Sequence, residues 1–214
     1  MLNPEEELQV RDALAKVEAA ASRVVRRATE AWQAIAFVNS LHTSVDAVVN
    51  AQTSDELQPE CRPGCCFCCS AKVEVSDPEA LHIAAAVRSL PEDRVKSLIE
   101  SLRLQRERRQ SGPANERIRC AFLEGDLCSI YKYRPAVCRK AHSLSAAACA
   151  TNQPTLPQIL NLSLQCEVII SGTSRAYEGL NLPSGKHELS AAVLAALETS
   201  CAAEQWYEGR KLLE

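Results

Sequence analysis

The stretch DALAKVEAAASRVVRRATEAWQAIAFVNSLHTSVDAVVN, residues 12–50, decides the fold class. Its apolar residues Leu14, Val17, Ala21, Val24, Ala28, Trp32, Ile35, Val38, Leu41, Val45 and Val48 follow one another at steps of three or four. That spacing makes one stripe along an α-helix. The reading is a long N-terminal helix over residues 1–50, weakened between Asn39 and Ser44, where polar and β-branched residues lower helix propensity. Such a stripe carries no chemistry. It should pack, with Trp32 buried, along helices formed by residues 76–86 and 187–207 or against a second copy of itself.

Outward from this stretch, the rest of the chain reads the same way. Ser76-Asp77-Pro78-Glu79 is a helix start, with a capping serine, a proline in the first turn and a glutamate three residues after the serine. That helix carries Leu81, Ala84, Ala85 and Val87 and stops before Pro91, and the next carries Val95, Leu98, Ile99 and Leu102. Its tail of Arg103, Arg106, Arg108 and Arg109 reads as a solvated helix end that complements the macrodipole. Residues 156–170 and 187–207 read as two more helices, separated by a loop over 171–185. Only Lys72 to Val75 alternates like a short extended piece. The aromatic fraction is 4% and alanine is abundant, which favours close helix packing over a sheet. The expected fold is all-α: an irregular helical domain in which the helix over 1–50 packs on a loop-rich, cysteine-bearing region over 51–214.

A net charge of −3 gives no global attraction to nucleic acid or to an anionic membrane surface. No stretch approaches the roughly 18 apolar residues of a membrane span, and the acidic start lacks the positive charge of a secretory signal. The expected location is the cytoplasm, with no nucleic-acid or membrane partner, an unknown protein partner left open, and either a monomer or a homodimer through the N-terminal helix.

Eleven cysteines are anomalous for such a protein, because a reducing cytosol does not maintain structural disulfides. They fall mainly in two groups. In Cys61-Arg62-Pro63-Gly64-Cys65-Cys66-Phe67-Cys68-Cys69, Pro63 and Gly64 force a tight turn, and the short spacing lets several thiolates converge on one centre. Adjacent Cys68 and Cys69 should project in different directions, serving two metals or leaving one thiol behind the ligands. The second group is Cys120, Cys128, Cys138 and Cys149, with Pro135 opening a short helix that presents Cys138. Lys132, Arg134, Arg139 and Lys140 surround these thiols with positive charge, which favours the thiolate form that binds metal.

These residues resemble the YkgJ-type cysteine-cluster family, the CxxCxxCC proteins described as zinc- or iron-chelating domains. Its pattern is a C-x(2,3)-G-C-x2-C-C cluster, then C-P-F-L, C-x-I-Y-x-x-R-P-x-x-C-R and a final cysteine. The match covers about residues 60–150. It implies Cys61, Cys65, Cys68, Cys69, Cys120, Cys128, Cys138 and Cys149 as metal ligands. Gly64, Ile130, Tyr131, Arg134, Pro135 and Arg139 match as well, and Tyr131, Arg134 and Arg139 are expected to stand behind the ligands, holding the loop and offsetting thiolate charge. Ala121 replaces the usual proline, and Cys66 is an extra thiol that leaves open which of the neighbouring sulfurs bind. Cys166 and Cys201 lie outside the pattern and read as inert thiols. His142, one turn beyond Cys138, is a weaker ligand candidate, while His42, His82 and His187 read as surface or helix-face residues.

Structural zinc usually draws on two compact knuckles, whereas Cys120, Cys128, Cys138 and Cys149 are separated by seven, nine and ten residues. That spread favours an iron-sulfur cluster slightly over zinc. Three classes of function remain: a metal-stapled binding module, a redox or metal-storage protein, and a cluster-dependent enzyme. The enzyme class enters because the resemblance extends to flagellin lysine N-methylase, a protein methyltransferase. No glycine-rich nucleotide fingerprint, G-x-S-x-G or H-E-x-x-H announces catalysis independently of the cysteines.

Overall fold

Asn3 starts the first helix by accepting a hydrogen bond from Glu6 N at 2.9 Å, while the Glu6 carboxylate accepts from Asn3 N at 2.8 Å. This reciprocal cap satisfies two otherwise orphaned amides, and Glu5, Glu6 and Glu7 place negative charge in the first turn. The computed structural model describes residues 3–52, 57–62, 64–113 and 116–213. Pro63 of the expected tight turn and residues 53–56 of the connection before it lie outside the described residues.

The single helix expected over residues 1–50 is three helices: α1 (Pro4–Val25), α2 (Ala31–Ala36) and α3 (Val38–Gln52). The main break falls at residues 26–30 rather than near Asn39, and no glycine or proline causes it. Tertiary bonds hold it instead: Tyr207 Oη donates to Ala28 O at 2.7 Å, and Gln33 Oε1 accepts from Thr29 N at 2.7 Å and Thr29 Oγ1 at 3.1 Å. The break rephases the apolar stripe. Ala31, Ala34, Ile35 and Val38 turn inward, and Trp32, expected inside, is 62% exposed, with its indole N–H on Glu30.

After α3 the chain forms a 3-10 turn at Phe67–Ser70, β1 (Glu74–Ser76), α4 (Asp77–Arg88), α5 (Glu92–Ser111), β2 (Leu123–Glu124) and β3 (Leu127–Cys128). A second 3-10 turn at Tyr131–Tyr133 leads to α6 (Ala136–Lys140), α7 (Ala146–Ala150), α8 (Leu160–Glu178), β4 (Lys186–Glu188), α9 (Leu189–Glu198) and α10 (Ala202–Tyr207). Of the described residues, 62% are helical and 5% lie in strands, so the expected all-α class holds only approximately. β1 pairs antiparallel with β4, Val75 opposite His187, and β2 with β3, Leu123 opposite Cys128. Both pairs tie down extended backbone between helices, whose amides and carbonyls need partners once covered.

Residues 171–178, expected in a loop, complete α8. The misleading glycine there is a contact point: a Cβ on Gly172 would meet Val17 Cβ of α1 at 2.8 Å. Glycine lets α1 and α8 touch at that point. α1 therefore packs on α8, while α2 meets α4 and α10, and α3 meets α8 and α6. The larger apolar cluster includes Trp206, Tyr177, Phe122, Ile83, Leu102 and Leu194; the smaller joins Leu41 and Val45 of α3 to Ala136, Leu162 and Cys166. Among the described residues, no helix is long and apolar enough to cross a membrane.

A polar cluster lies beside this core. Buried Glu79 accepts from Ala136 N at 2.7 Å, Ser76 Oγ at 2.8 Å and His42 Nε2 at 3.2 Å. His42 is thus a buried anchor rather than a surface histidine, and His187 pairs with buried Asp77 at 3.0 Å. The His82 ring is wedged edge-on between His42 and Tyr133, and its Nε2 is buried without a hydrogen bond. Burial first, then the neighbouring His42, lowers the His82 pKa from 6.5 to about 4, against the pull of Glu79. The unfolded chain therefore takes up this proton from pH 6.5 downward, and the folded chain only near pH 4. Stability should fall with acidification across that window. A His82→Phe variant is expected to melt with a flatter pH dependence between those values; an unchanged slope would show that His82 does not titrate as described.

Candidate metal centre

Backbone ties rather than proximity in sequence bring the cysteines together. Glu60 N donates to Ser143 O at 3.0 Å, and the Glu60 carboxylate accepts from Ala146 N at 2.6 Å in the first turn of α7. The chain just before Cys61 is thereby fixed to the helix that carries Cys149. Gly64 adopts φ +87°, a left-handed conformation that favours glycine, and Cys65 N donates to Arg62 O at 2.9 Å. The 3-10 turn then presents Cys68 and Cys69. Cys120 N donates to Cys69 O at 2.8 Å, which fixes the start of the second cysteine group to the end of the first. The β2–β3 hairpin, turning at Gly125 with φ +59°, brings Cys128 back toward Cys120, and Pro135 caps α6, whose third residue is Cys138.

Several arginines clamp these loops. Arg109 donates to Glu116 O at 2.7 Å and to Ala71 O and Ile118 O at 3.2 Å, spanning the exit of the first cysteine group and the entry to the second. The sequence reading of Arg109 as part of a solvated helix end is corrected accordingly. Arg103 and Arg108 do sit in exposed ion pairs, with Glu198 and Glu116. Arg117 holds the carbonyl of Phe67 and the side chain of Asn152, and Gln105 Oε1 accepts from Ala121 N at 2.9 Å. A basic residue one turn from a helix end gives no sequence signal for such a role, because its acceptors are backbone carbonyls from distant loops.

Arg139 donates to Arg134 O at 3.0 Å, to Lys132 O at 2.5 Å and to Asp46 of α3 at 2.6 Å, holding the loop before α6. Arg134 lies over the Tyr131 ring, 4.1 Å from its centroid, and Tyr131 is 61% exposed. The Arg134 Nε–H is buried and has no partner among the described residues. Its charge favours the thiolates of Cys68, Cys128 and Cys138.

The thiols act on one another. Burial pushes the Cys138 thiol well up, and Cys120, Cys68 and Cys128 push it further. Cys120 is raised to about 11, by burial first. Cys68 is raised and Cys69 lowered, each chiefly through the interaction of the two thiols with one another. Cys61 is an exposed residue whose thiol is nonetheless raised, by desolvation first and then by Cys65, Cys68 and Cys149, while a Ser143 backbone hydrogen bond opposes. Cys66 points elsewhere, its sulfur 3.3 Å from Asp126 Oδ1.

Three other candidates take no part. Cys166 is buried in the smaller apolar cluster, and Cys201 is exposed at the start of α10. His142 is buried, with Nδ1 at 2.8 Å from Lys140 O and Nε2 accepting from Ile159 N at 2.8 Å, so both ring nitrogens are engaged with backbone. Among the described residues, no group of three or more His, Cys, Asp and Glu side chains is arranged to hold a metal ion as it stands. The donor set nevertheless suits zinc or iron rather than magnesium or calcium, being sulfur-rich.

A mainly helical scaffold that presents cysteines from several short turns defines a cysteine-rich helical protein. Residues 60–167 match the model of the CxxCxxCC family, described as a "putative zinc- or iron-chelating domain", and the chain belongs to that family. The match extends beyond the motif into α8. No curated protein and no solved structure matches the chain.

Proposed function

We propose that this chain holds a cysteine-ligated metal centre, iron-sulfur slightly in preference to zinc, and works as a metal-stapled binding or redox module in the cytoplasm. The ligands are Cys61, Cys65, Cys68, Cys69, Cys120, Cys128, Cys138 and Cys149. The observation that carries the reading is the set of main-chain ties that holds the loops of the two cysteine groups against one another, Cys120 N on Cys69 O at 2.8 Å, Glu60 N on Ser143 O at 3.0 Å and Ala146 N on the Glu60 carboxylate at 2.6 Å. When bound, the metal would cross-link loops that hold little regular structure of their own, and an iron-sulfur cluster would add one-electron chemistry.

Within this reading, Arg134 offsets thiolate charge, Tyr131 supports its guanidinium, and Arg139 fixes the loop that carries both. Iron-sulfur is preferred because the sulfurs come from several loops rather than two knuckles. Anaerobic purification followed by metal and acid-labile sulfide analysis tests it. A brown protein with iron and sulfide supports the cluster, and colourless protein with stoichiometric zinc replaces the cluster with a zinc staple. Protein that carries neither metal and takes up neither on reconstitution overturns the reading.

A further inference from the structure

Independently of the metal centre, we infer that the cavity between α6, α8 and the β1–β4 pair is a binding site for a small amphipathic carboxylate, an organic acid anion with an apolar tail. The cavity measures about 440 Å³, within the range of roughly 300–1,000 Å³ usual for small-ligand sites. Leu41, Val75 and Tyr177, all buried, line it together with Val137 and Ile170. The Tyr177 hydroxyl is engaged on Ala34 O at 2.8 Å, so this residue offers the cavity its ring. Ser171, Thr173 and Ser174 of α8 line it as well, the small polar run that reads as a loop in the sequence.

The polar groups around this space are unevenly satisfied. Ser174 Oγ donates to Ser184 O at 2.9 Å, and both oxygens of Glu79 are taken by His42, Ala136 and Ser76. Thr173 differs: it is 4% exposed, lines the cavity, and its hydroxyl has no hydrogen-bond partner among the described residues. A covered hydroxyl without a partner is costly, and a carboxylate oxygen would accept from it. Charge sets the sign of the ligand. Lys140 Nζ donates to Glu167 Oε2 at 2.7 Å, which uses one of its three N–H groups. Burial raises the Glu167 carboxyl, but Lys140 first and Lys186 after it hold it below 4.5, so two ammonium groups serve one carboxylate. Exposed Arg175 lines the cavity too, with no ion pair among the described residues, and Glu74 is the carboxylate left on the opposing side of the balance. Apart from Glu79, which its own donors screen, three cations therefore line the cavity against two carboxylates. A bound carboxylate answers both the surplus charge and the unpaired hydroxyl, and an apolar tail suits the remaining walls. Val137 and Lys140 flank Cys138 on α6, so a molecule seated here touches the helix that carries Cys138 without using any cysteine.

The test uses the full chain as purified anaerobically, with octanoate as the probe and octanol and octylamine as its neutral and cationic counterparts. Calorimetric titration is expected to show saturable octanoate binding at about one equivalent, roughly tenfold or more tighter than either counterpart. The methyl resonances of Val75, Val137 and Ile170 should shift during the titration. Thr173→Val keeps the shape and removes the hydroxyl, and Lys186→Met removes an exposed cation; each should weaken octanoate by about three- to tenfold. Should Thr173→Val fail to fold, Lys186→Met and the methyl shifts decide. Absence of saturable octanoate binding, or binding that leaves those methyls unmoved, overturns the site. Octanol or octylamine binding as tightly as octanoate overturns the carboxylate assignment, and so does unchanged affinity in Lys186→Met or in a folded Thr173→Val.

Discussion

A Cys138→Ser variant should lose metal and native stability together. Cys138 is the third residue of α6, its amide fixed to Pro135 O at 2.9 Å, and its thiol is pushed up by burial first and then by Cys120, Cys68 and Cys128. Serine keeps the backbone geometry but does not ionise in this range and is a hard, poor donor for zinc or iron. Structural zinc contributes on the order of 10–16 kcal/mol to small metal domains, so forfeiting even part of it is large. A loss of at least about 3 kcal/mol is expected, which for a chain of this size lowers the melting temperature by roughly 6–12 °C. Cys201→Ser, at an exposed cysteine outside both cysteine groups, should change stability by less than about 0.5 kcal/mol. Metal analysis and thermal melting of both variants provide the check; full occupancy with an unchanged melt in Cys138→Ser would refute the assignment.

What the sequence made legible follows from the range of each interaction. Helix existence was readable because three- and four-residue spacing is local, and so were the Ser76–Glu79 cap and the opening of α6 at Pro135. The break at residues 26–30 was not, since it depends on Tyr207 reaching Ala28 from the other end of the chain. One break then reversed Trp32, because a shift of phase moves every later side chain around the helix. Gly172 misled for a similar reason: a helix breaker by propensity, it is retained where α1 approaches too closely for a Cβ. In the site, the cysteine pattern identified the family, but the clamps of Arg109, Arg117 and Gln105 were invisible, since their partners are main-chain atoms of distant loops. Charge patterning reads residues as exposed by default, and only tertiary structure shows which cations are used up internally.

Glu79 shows the same limit and gives the second large effect. As the third residue after a capping serine it reads as a helix-start glutamate, yet it is 97% covered and its Oε1 accepts from Ala136 N, the first residue of α6. It couples α3 through His42, the start of α4 through Ser76, and the helix that carries Cys138. Burial pushes its carboxyl up, but the hydrogen bonds from His42, Ala136 and Ser76 outweigh burial and hold it below its usual value of 4.5. A carboxylate whose folded pKa is depressed contributes stability that is fully present above the unfolded pKa and is lost as pH falls through the folded value. Glu79→Ala leaves the Ala136 amide, the Ser76 amide and hydroxyl, and His42 without their acceptor in a covered site, and should cost about 3–5 kcal/mol. Because α6 loses its anchor, metal affinity should fall as well. Glu79→Gln keeps an acceptor for Ala136 and His42 and should cost less than Glu79→Ala, while abolishing the part of the acid transition below pH 4.5 that belongs to this carboxyl. Thermal melts of both variants from pH 7 to pH 3, with zinc titrations at pH 7, separate the two roles. If Glu79→Gln kept the wild-type acid slope, the carboxylate would not titrate with folding, and if Glu79→Ala bound zinc as tightly as wild type, Glu79 would steady the core without positioning Cys138.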